Sequence, residues 1–216
     1  AIHERIVKRF DRCVLAEMAP GHVGRSYTHF VGRYKELAAV HQALVGGAGG
    51  LITAVHGMGG MGKTALAVQY AHAYAEHYAA GGRWLIDCAG ETSLARVIRK
   101  LARPLGMIES GLSDVDTEAA EEIITYLKTW TVRNGSGVLE ALGKNASRLS
   151  DGPTLPPEWK PRALLIFDNV EHPELFSAAQ TALIPAEDWL EYILTTRLPA
   201  SRFGAGEKQL EAVPVE

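Results

Sequence analysis

The sequence predicts an α/β protein: a mostly parallel, five-stranded sheet with helices on both faces. Three observations carry that expectation. Short, wholly apolar runs alternate with longer segments of helical period, the order that parallel strands joined by crossover helices produce. A glycine-rich stretch, HGMGGMGKTAL at 56–66, separates one such run from one such segment. A third run, ALLIFD at 163–168, is apolar for five residues and then ends in a carboxylate.

The elements follow in chain order. Residues 1–29 read as a leader or linker, in which a short amphipathic piece, IHERIVKRFDRCVLAEM, is stopped by Pro20-Gly21. YKELAAVHQALV places Leu37, Val40 and Leu44 at helical spacing and ends at Gly46-Gly47. LITAV at 51–55 is continuously apolar, as a strand buried on both faces is. A helix is expected over 63–79, then a strand, RWLIDC, at 83–88. SLARVIRKLARPLGM at 93–107 reads as a helix stopped or kinked by Pro104. A further helix over 116–132 buries Ala120, Ile123, Ile124 and Leu127, and its early acids suit the positive end of the helix dipole. Residues 134–161 carry NGSG, DGP and LPPEWKP, which is turn chemistry, and are expected to form a long loop or insertion. ALLIFD, a helical ELFSAAQTAL, EYILTT at 191–196 and QLEAVPV at 209–215 complete the alternation.

Composition excludes several classes. With 216 residues and 47% hydrophobic content, the chain can bury a sizeable core. Its 22 basic and 25 acidic residues are interspersed, so no basic stripe offers itself to nucleic acid. No apolar run approaches the roughly 20 residues that span a bilayer, and the N-terminal residues lack the apolar core of a signal peptide. Cys13 and Cys88 stand outside any metal-ligand or CxxC spacing and read as free thiols of a reducing compartment. Together these point to a cytoplasmic module with neither membrane nor nucleic acid as partner.

The glycines have a specific use. Gly57 to Thr64 satisfies GxxxxGK[ST] between a strand and a helix. Glycine allows positive φ and lets backbone amides close on an anion, and the following helix N-terminus adds partial positive charge. The expected phosphate cradle is Gly57, Gly59, Gly60, Met61, Gly62, Lys63, Thr64 and Ala65. Lys63 should reach the β and γ oxygens, and Thr64 should ligate Mg²⁺. Asp168, ending its strand about 100 residues later, supplies the second Mg²⁺ ligand, directly or through water. Its neighbour Asn169 can position a water but cannot take its proton, which predicts slow hydrolysis. In ILTTR, Thr195 or Thr196 could orient water, and Arg197 could sense the γ-phosphate. The catalytic set is thus Lys63, Asp168, Asn169 and Arg197.

Four segments in order, FVGRYKEL at 30–37, the glycine-rich loop, LLIFDNVEH and ILTTR, resemble the NB-ARC nucleotide-binding domain of the STAND class of P-loop ATPases. That class includes the apoptotic protease-activating factor, plant disease-resistance proteins and bacterial regulators. The resemblance spans roughly residues 30–216 and implies a three-layer P-loop NTPase fold. It also implies that Phe30 and Val31 line adenine, that Arg33 approaches the nucleotide, and that Arg197 is a sensor. Tyr34 stands where the family has its first Glu, and Asn169 where many members have a second Asp.

The resemblance further implies a switch. ADP holds a closed monomer; exchange for ATP permits contact with other protomers of the parent protein and activates an N-terminal effector domain outside this chain. The family's helical and winged-helix domains are also expected to lie outside it. The competing expectations are an actively hydrolysing ATPase of the AAA+ type, which would carry Asp-Glu at 168–169, and the nucleotide-binding part of a bacterial transcription regulator.

Overall fold

In a computed structural model, which describes residues 21–24, 33–45, 49–54, 62–145, 159–203 and 210–215, six strands lie in one sheet. In chain order they are β1 (Gly21–His22), β2 (Gly49–Ala54), β3 (Arg83–Asp87), β4 (Ala163–Val170), β5 (Leu190–Thr196) and β6 (Leu210–Val215). Across the sheet the order is β1-β3-β4-β5-β2-β6, and every neighbouring pair is parallel. Helices α1 (Tyr34–Val45), α2 (Lys63–Ala73), α3 (Leu94–Arg99), α4 (Asp116–Asn145) and α5 (Ala178–Thr181) connect them, with short 3₁₀ turns between.

The five expected strands are all present. The sixth, β1, corrects the reading of residues 1–29 as a leader: Gly21 and His22 pair with Arg83 and Trp84, and Val23 beside them is buried in the core. Gly21 permits that pairing, because a side chain there would lie 2.2 Å from the Arg83 carbonyl oxygen.

Alternation along β4 divides the core. Leu165 and Phe167 pack with Val97 and Ile98 of α3 and with Ile123 and Leu127 of α4. Leu164 and Ile166 face the other way, onto Leu37 and Val40 of α1 and Leu66 and Tyr70 of α2. A strand apolar at every position is thereby buried on both faces, and the domain has three layers. Each such side chain contributes about 1.5–3 kcal/mol by leaving water.

Two helices end differently from expectation. The α2 ladder stops at Tyr74, whose amide bonds Tyr70 O, and a 3₁₀ turn over Ala75–Tyr78 replaces the last expected turn. Rings hold the chain there: Tyr74 stacks on His41 at 4.1 Å and on Tyr70 at 4.7 Å. After α3 the chain continues in turns to Gly106, at φ 74°. There Met107 N bonds Ala102 O and Gly106 N bonds Arg103 O, the paired bonds of a Schellman ending just past Pro104.

The larger correction concerns 134–161. Helix α4 runs 30 residues to Asn145, straight through the Gly135-Ser136-Gly137 that read as a turn. Gly135 serves packing instead: a β-carbon there would sit 2.3 Å from Pro161 Cγ. Residues 146–158 lie outside the described residues. Among the described residues, no helix is long and apolar enough to cross a membrane.

Candidate functional site

Helix α2 begins at the point where the motif demands a helix. Gly62, its N-cap, is left-handed at φ 72°, ψ 28°, a conformation that costs other residues strain, and its carbonyl accepts from Leu66 N at 2.8 Å. The Arg33 guanidinium lies over this point, its Nη1 3.8 Å from where a Gly62 β-carbon would stand. The remaining expected ligands, Phe30, Val31, Gly57, Gly59, Gly60 and Met61, lie outside the described residues.

A cleft of about 340 Å³ opens here, at the C-terminal edge of the sheet. Its wall joins three segments distant in sequence: Gly62–Ala65 at the start of α2, Asn169–Glu171 at the end of β4, and Thr195–Leu198 at the end of β5. Of the expected site residues, Gly62, Lys63, Thr64, Ala65, Asn169 and Arg197 line it.

Asp168 lies just beneath the wall and is buried. The Thr64 hydroxyl donates to its Oδ1 at 2.7 Å, and Thr195 donates to the same oxygen. Strand β5 lies between β2 and β4, so Thr195 stands where it can bridge the two sides. The chain then leaves β4 irregularly. Asn169 is left-handed at φ 59°, and the pairing with β5 shifts register between Phe167 and Val170. Asparagine tolerates that conformation better than most residues. Its amide N donates to Thr195 Oγ1 at 3.1 Å.

These bonds narrow one expectation, that Thr195 or Thr196 orients water, to the hydroxyls' accepting side. Thr195 has spent its proton on Asp168, and Thr196 spends its own on Val170 O at 2.6 Å while accepting from Leu198 N. Both hydroxyls fix the loop ends and have no proton left for a water.

Charge is concentrated in the cleft. Lys63 is held below the usual amine range, first by burial and then by the Arg197 guanidinium, with Asp168 opposing. Two cations thus line one cleft, Lys63 buried and Arg197 exposed, an arrangement that an anion between them would relieve. Behind Asp168, the buried Cys88 thiol is pushed up to about 12 by burial, so it stays protonated and inert, while Cys88 N donates to Asp168 O at 2.8 Å.

Sequence reasoning missed Asp87. It ends β3 directly beside Asp168 in the register and accepts from Asn169 Nδ2 at 3.3 Å and from Ala89 N at 3.1 Å. The signal was present: RWLID, like ALLIFD, is an apolar run that ends in Asp, and parallel neighbours bring such ends to one edge.

The sequence pattern of the NB-ARC domain matches residues 33–132. No curated protein matches the chain. Among solved structures, a Walker-type ATPase of Pyrococcus abyssi is similar at 14% identity and a TM-score of 0.44, over 94% of this chain and 57% of that one. The ORC2 protein of Aeropyrum pernix, solved as ADPNP–ADP complexes, is similar at 17% identity and a TM-score of 0.46, over 89% of this chain and 50% of that one. The chain therefore spans about half the length of these proteins.

Proposed function

We propose, from the match of residues 33–132 to the NB-ARC domain pattern, that the chain is the nucleotide-operated switch of a larger, STAND-type signalling protein. It binds ADP or ATP with Mg²⁺, turns ATP over slowly, and acts through the difference between the two bound states.

The observation that carries this reading is the convergence of Lys63 and Arg197 on one cleft, above the Thr64–Asp168 pair. A ligand shifts an equilibrium only by what it contacts differently in the two states. The γ-phosphate is what ATP has and ADP lacks. Arg197, just after β5, lines the same cleft as the start of the helix that would hold the β-phosphate. Its engagement by ATP, and its release by ADP, is the differential contact that the switch needs.

The oxygen donors fit Mg²⁺, a hard cation that keeps several waters and takes few protein ligands. Thr64 gives its proton to Asp168, which leaves its lone pairs to face a cation. Asp168 keeps Oδ2 for a metal-bound water. Mg²⁺ bound there would neutralise charge between the β- and γ-phosphates. Adenine recognition is assigned to Phe30 and Val31, and Arg33, beside Gly62, to the phosphate end. In the parent protein the ADP state would be a closed monomer. The ATP state would admit other protomers and free an N-terminal effector domain, in the cytoplasm.

Denaturing the purified chain and identifying what it releases tests the ligand class, and calorimetric titration with ADP, ATP and GTP in Mg²⁺ tests the states. Bound or tightly titrating adenine nucleotide, with GTP much weaker, supports the reading. No adenine-nucleotide binding at millimolar concentration would overturn it.

A further inference from the structure

The carboxylate of Asp87 is not used by the reading above, yet it holds the side chain on which hydrolysis turns. A carboxylate can only accept hydrogen bonds. The 3.3 Å contact therefore fixes which end of the Asn169 amide faces β3: its nitrogen. The backbone of Asn169 is independently set, by its left-handed φ and its amide bond to Thr195. Asn169 lines the cleft from outside which Asp87 holds it, so the oxygen is the end of the amide left for the cleft. Asp87 is itself braced: Ala89 N donates to its side chain, and Lys100 Nζ donates to its main-chain oxygen at 2.7 Å while pairing with Glu91 at 3.1 Å.

We propose that Asp87 is a positioning residue for hydrolysis: it holds the Asn169 amide with Oδ1 toward the cleft, where that oxygen accepts a hydrogen bond from the attacking water. The assignment deepens the switch reading and rests on it. The water oxygen bonds to the γ-phosphorus, the bond from that phosphorus to the bridging oxygen breaks, and its electron pair leaves with ADP. Asn169 aims the water without deprotonating it, and the water's proton ends on the released inorganic phosphate.

The same contact explains why an amide stands at 169. An aspartate there would put two carboxylates at hydrogen-bonding distance across β3 and β4, where like charges oppose each other. Acid and amide are both present at this edge, but β3 contributes the acid and β4 the amide.

The test is single-turnover hydrolysis at saturating ATP, read beside calorimetric ATP and ADP affinities, for the wild type, Asp87→Ala, Asp87→Asn, Asn169→Ala and the Asp87→Ala/Asn169→Ala pair. Losing one charge-assisted hydrogen bond that matters at the transition state costs about tenfold in rate. Asp87→Ala is expected to slow hydrolysis by about that factor with affinities unchanged. Asp87→Asn keeps an oxygen acceptor and should recover most of the rate. Asn169→Ala should be as slow as Asp87→Ala, and the pair no slower than either. Wild-type turnover in Asp87→Ala with intact binding would overturn the assignment, as would additive losses in the pair. A wild-type chain that binds ATP but leaves it whole would also overturn it, together with the slow turnover proposed above, while the nucleotide-binding reading stood. Failure of the wild type to bind adenine nucleotide would overturn both. Thermal melts of each variant separate misfolding from lost positioning, and Asn169→Ala reports on the same contact should Asp87→Ala not fold.

Discussion

The hydroxyl of Thr64 donates to Oδ1 of Asp168 at 2.7 Å, joining residues 104 apart in sequence across the edge of the sheet. One is the second residue of a helix, the other lies near the end of a buried strand, so the bond ties two regular elements together.

That tie predicts how Mg²⁺ dependence is lost. Thr64→Val keeps the shape of the side chain but removes both the donor to Asp168 and the lone pairs that would face the cation. Asp168→Asn keeps an acceptor but removes the charge. Outer partners of a metal site are worth about 10- to 100-fold in affinity. Both variants should therefore lose most of the gain in ATP affinity that Mg²⁺ brings, measured by titration with and without the metal. An undiminished Mg²⁺ effect in either variant would place the cation elsewhere.

Arg197 and Lys63 are predicted to differ in what they discriminate. Lys63 opens the helix proposed to hold the β-phosphate, so Lys63→Ala should weaken ADP and ATP alike. Arg197→Ala should leave ADP binding within about twofold and weaken ATP by about 10- to 100-fold, the worth of a hydrogen bond to a charged group. Equal losses for the two nucleotides in Arg197→Ala would deny the residue its role as the sensor.

How much of this was legible in the sequence depends on whether a residue's neighbours in space were also its neighbours in the chain. β4 was readable because its own pattern, apolar at every position and then Asp168, states both double burial and an exit at the sheet edge. The start of α2 was readable because a left-handed Gly62 before Lys63-Thr64 is a local necessity. β1 was not, since two residues carry no period and are fixed only by the β3 edge they meet. Asp87 and Asn169 are 82 residues apart, and their contact follows only once β3 and β4 are known to be adjacent. Gly135 misled in the same way. Its glycine signals a turn locally, while the reason for it is Pro161 across the space between elements.

That last pair gives a stability prediction with an internal control. Gly135→Ala improves helix propensity by about 1 kcal/mol, but it places a β-carbon 2.3 Å from Pro161 Cγ and 2.8 Å from its Cβ. A rigid ring cannot swing away as a flexible side chain would, and overpacking of this kind costs about 1–3 kcal/mol. A net loss of up to about 2 kcal/mol is expected, which lowers Tm by up to about 4–8 °C in a chain of this size. Gly137→Ala, in the same helix with nothing within 4 Å of the added carbon, should raise Tm instead. A thermal melt in which Gly135→Ala matches Gly137→Ala would show that α4 does not pack on Pro161.

The final prediction concerns pH. The ring nitrogen Nε2 of His72, on α2, lies 3.1 Å from Gly24 O, just after β1. Since a carbonyl only accepts, Nε2 carries the proton and donates, and the neutral ring suffices for the bond. Burial first, then the nearby Arg83, depress the His72 pKa below its usual 6.5, with the Gly24 carbonyl opposing. The unfolded chain regains the ordinary value, so below about pH 6.5 it binds a proton that the fold resists. Stability therefore falls as pH drops from about 6.5 toward the folded pKa, and His72 adds no slope above that window. His72→Gln removes the titration while keeping a donor for Gly24. Denaturant midpoints from pH 7.5 to 5.5 should show wild type and variant parallel at the upper end and diverging at the lower, with the variant losing less. Parallel profiles throughout would mean that His72 is protonated as readily in the folded chain as in the unfolded one.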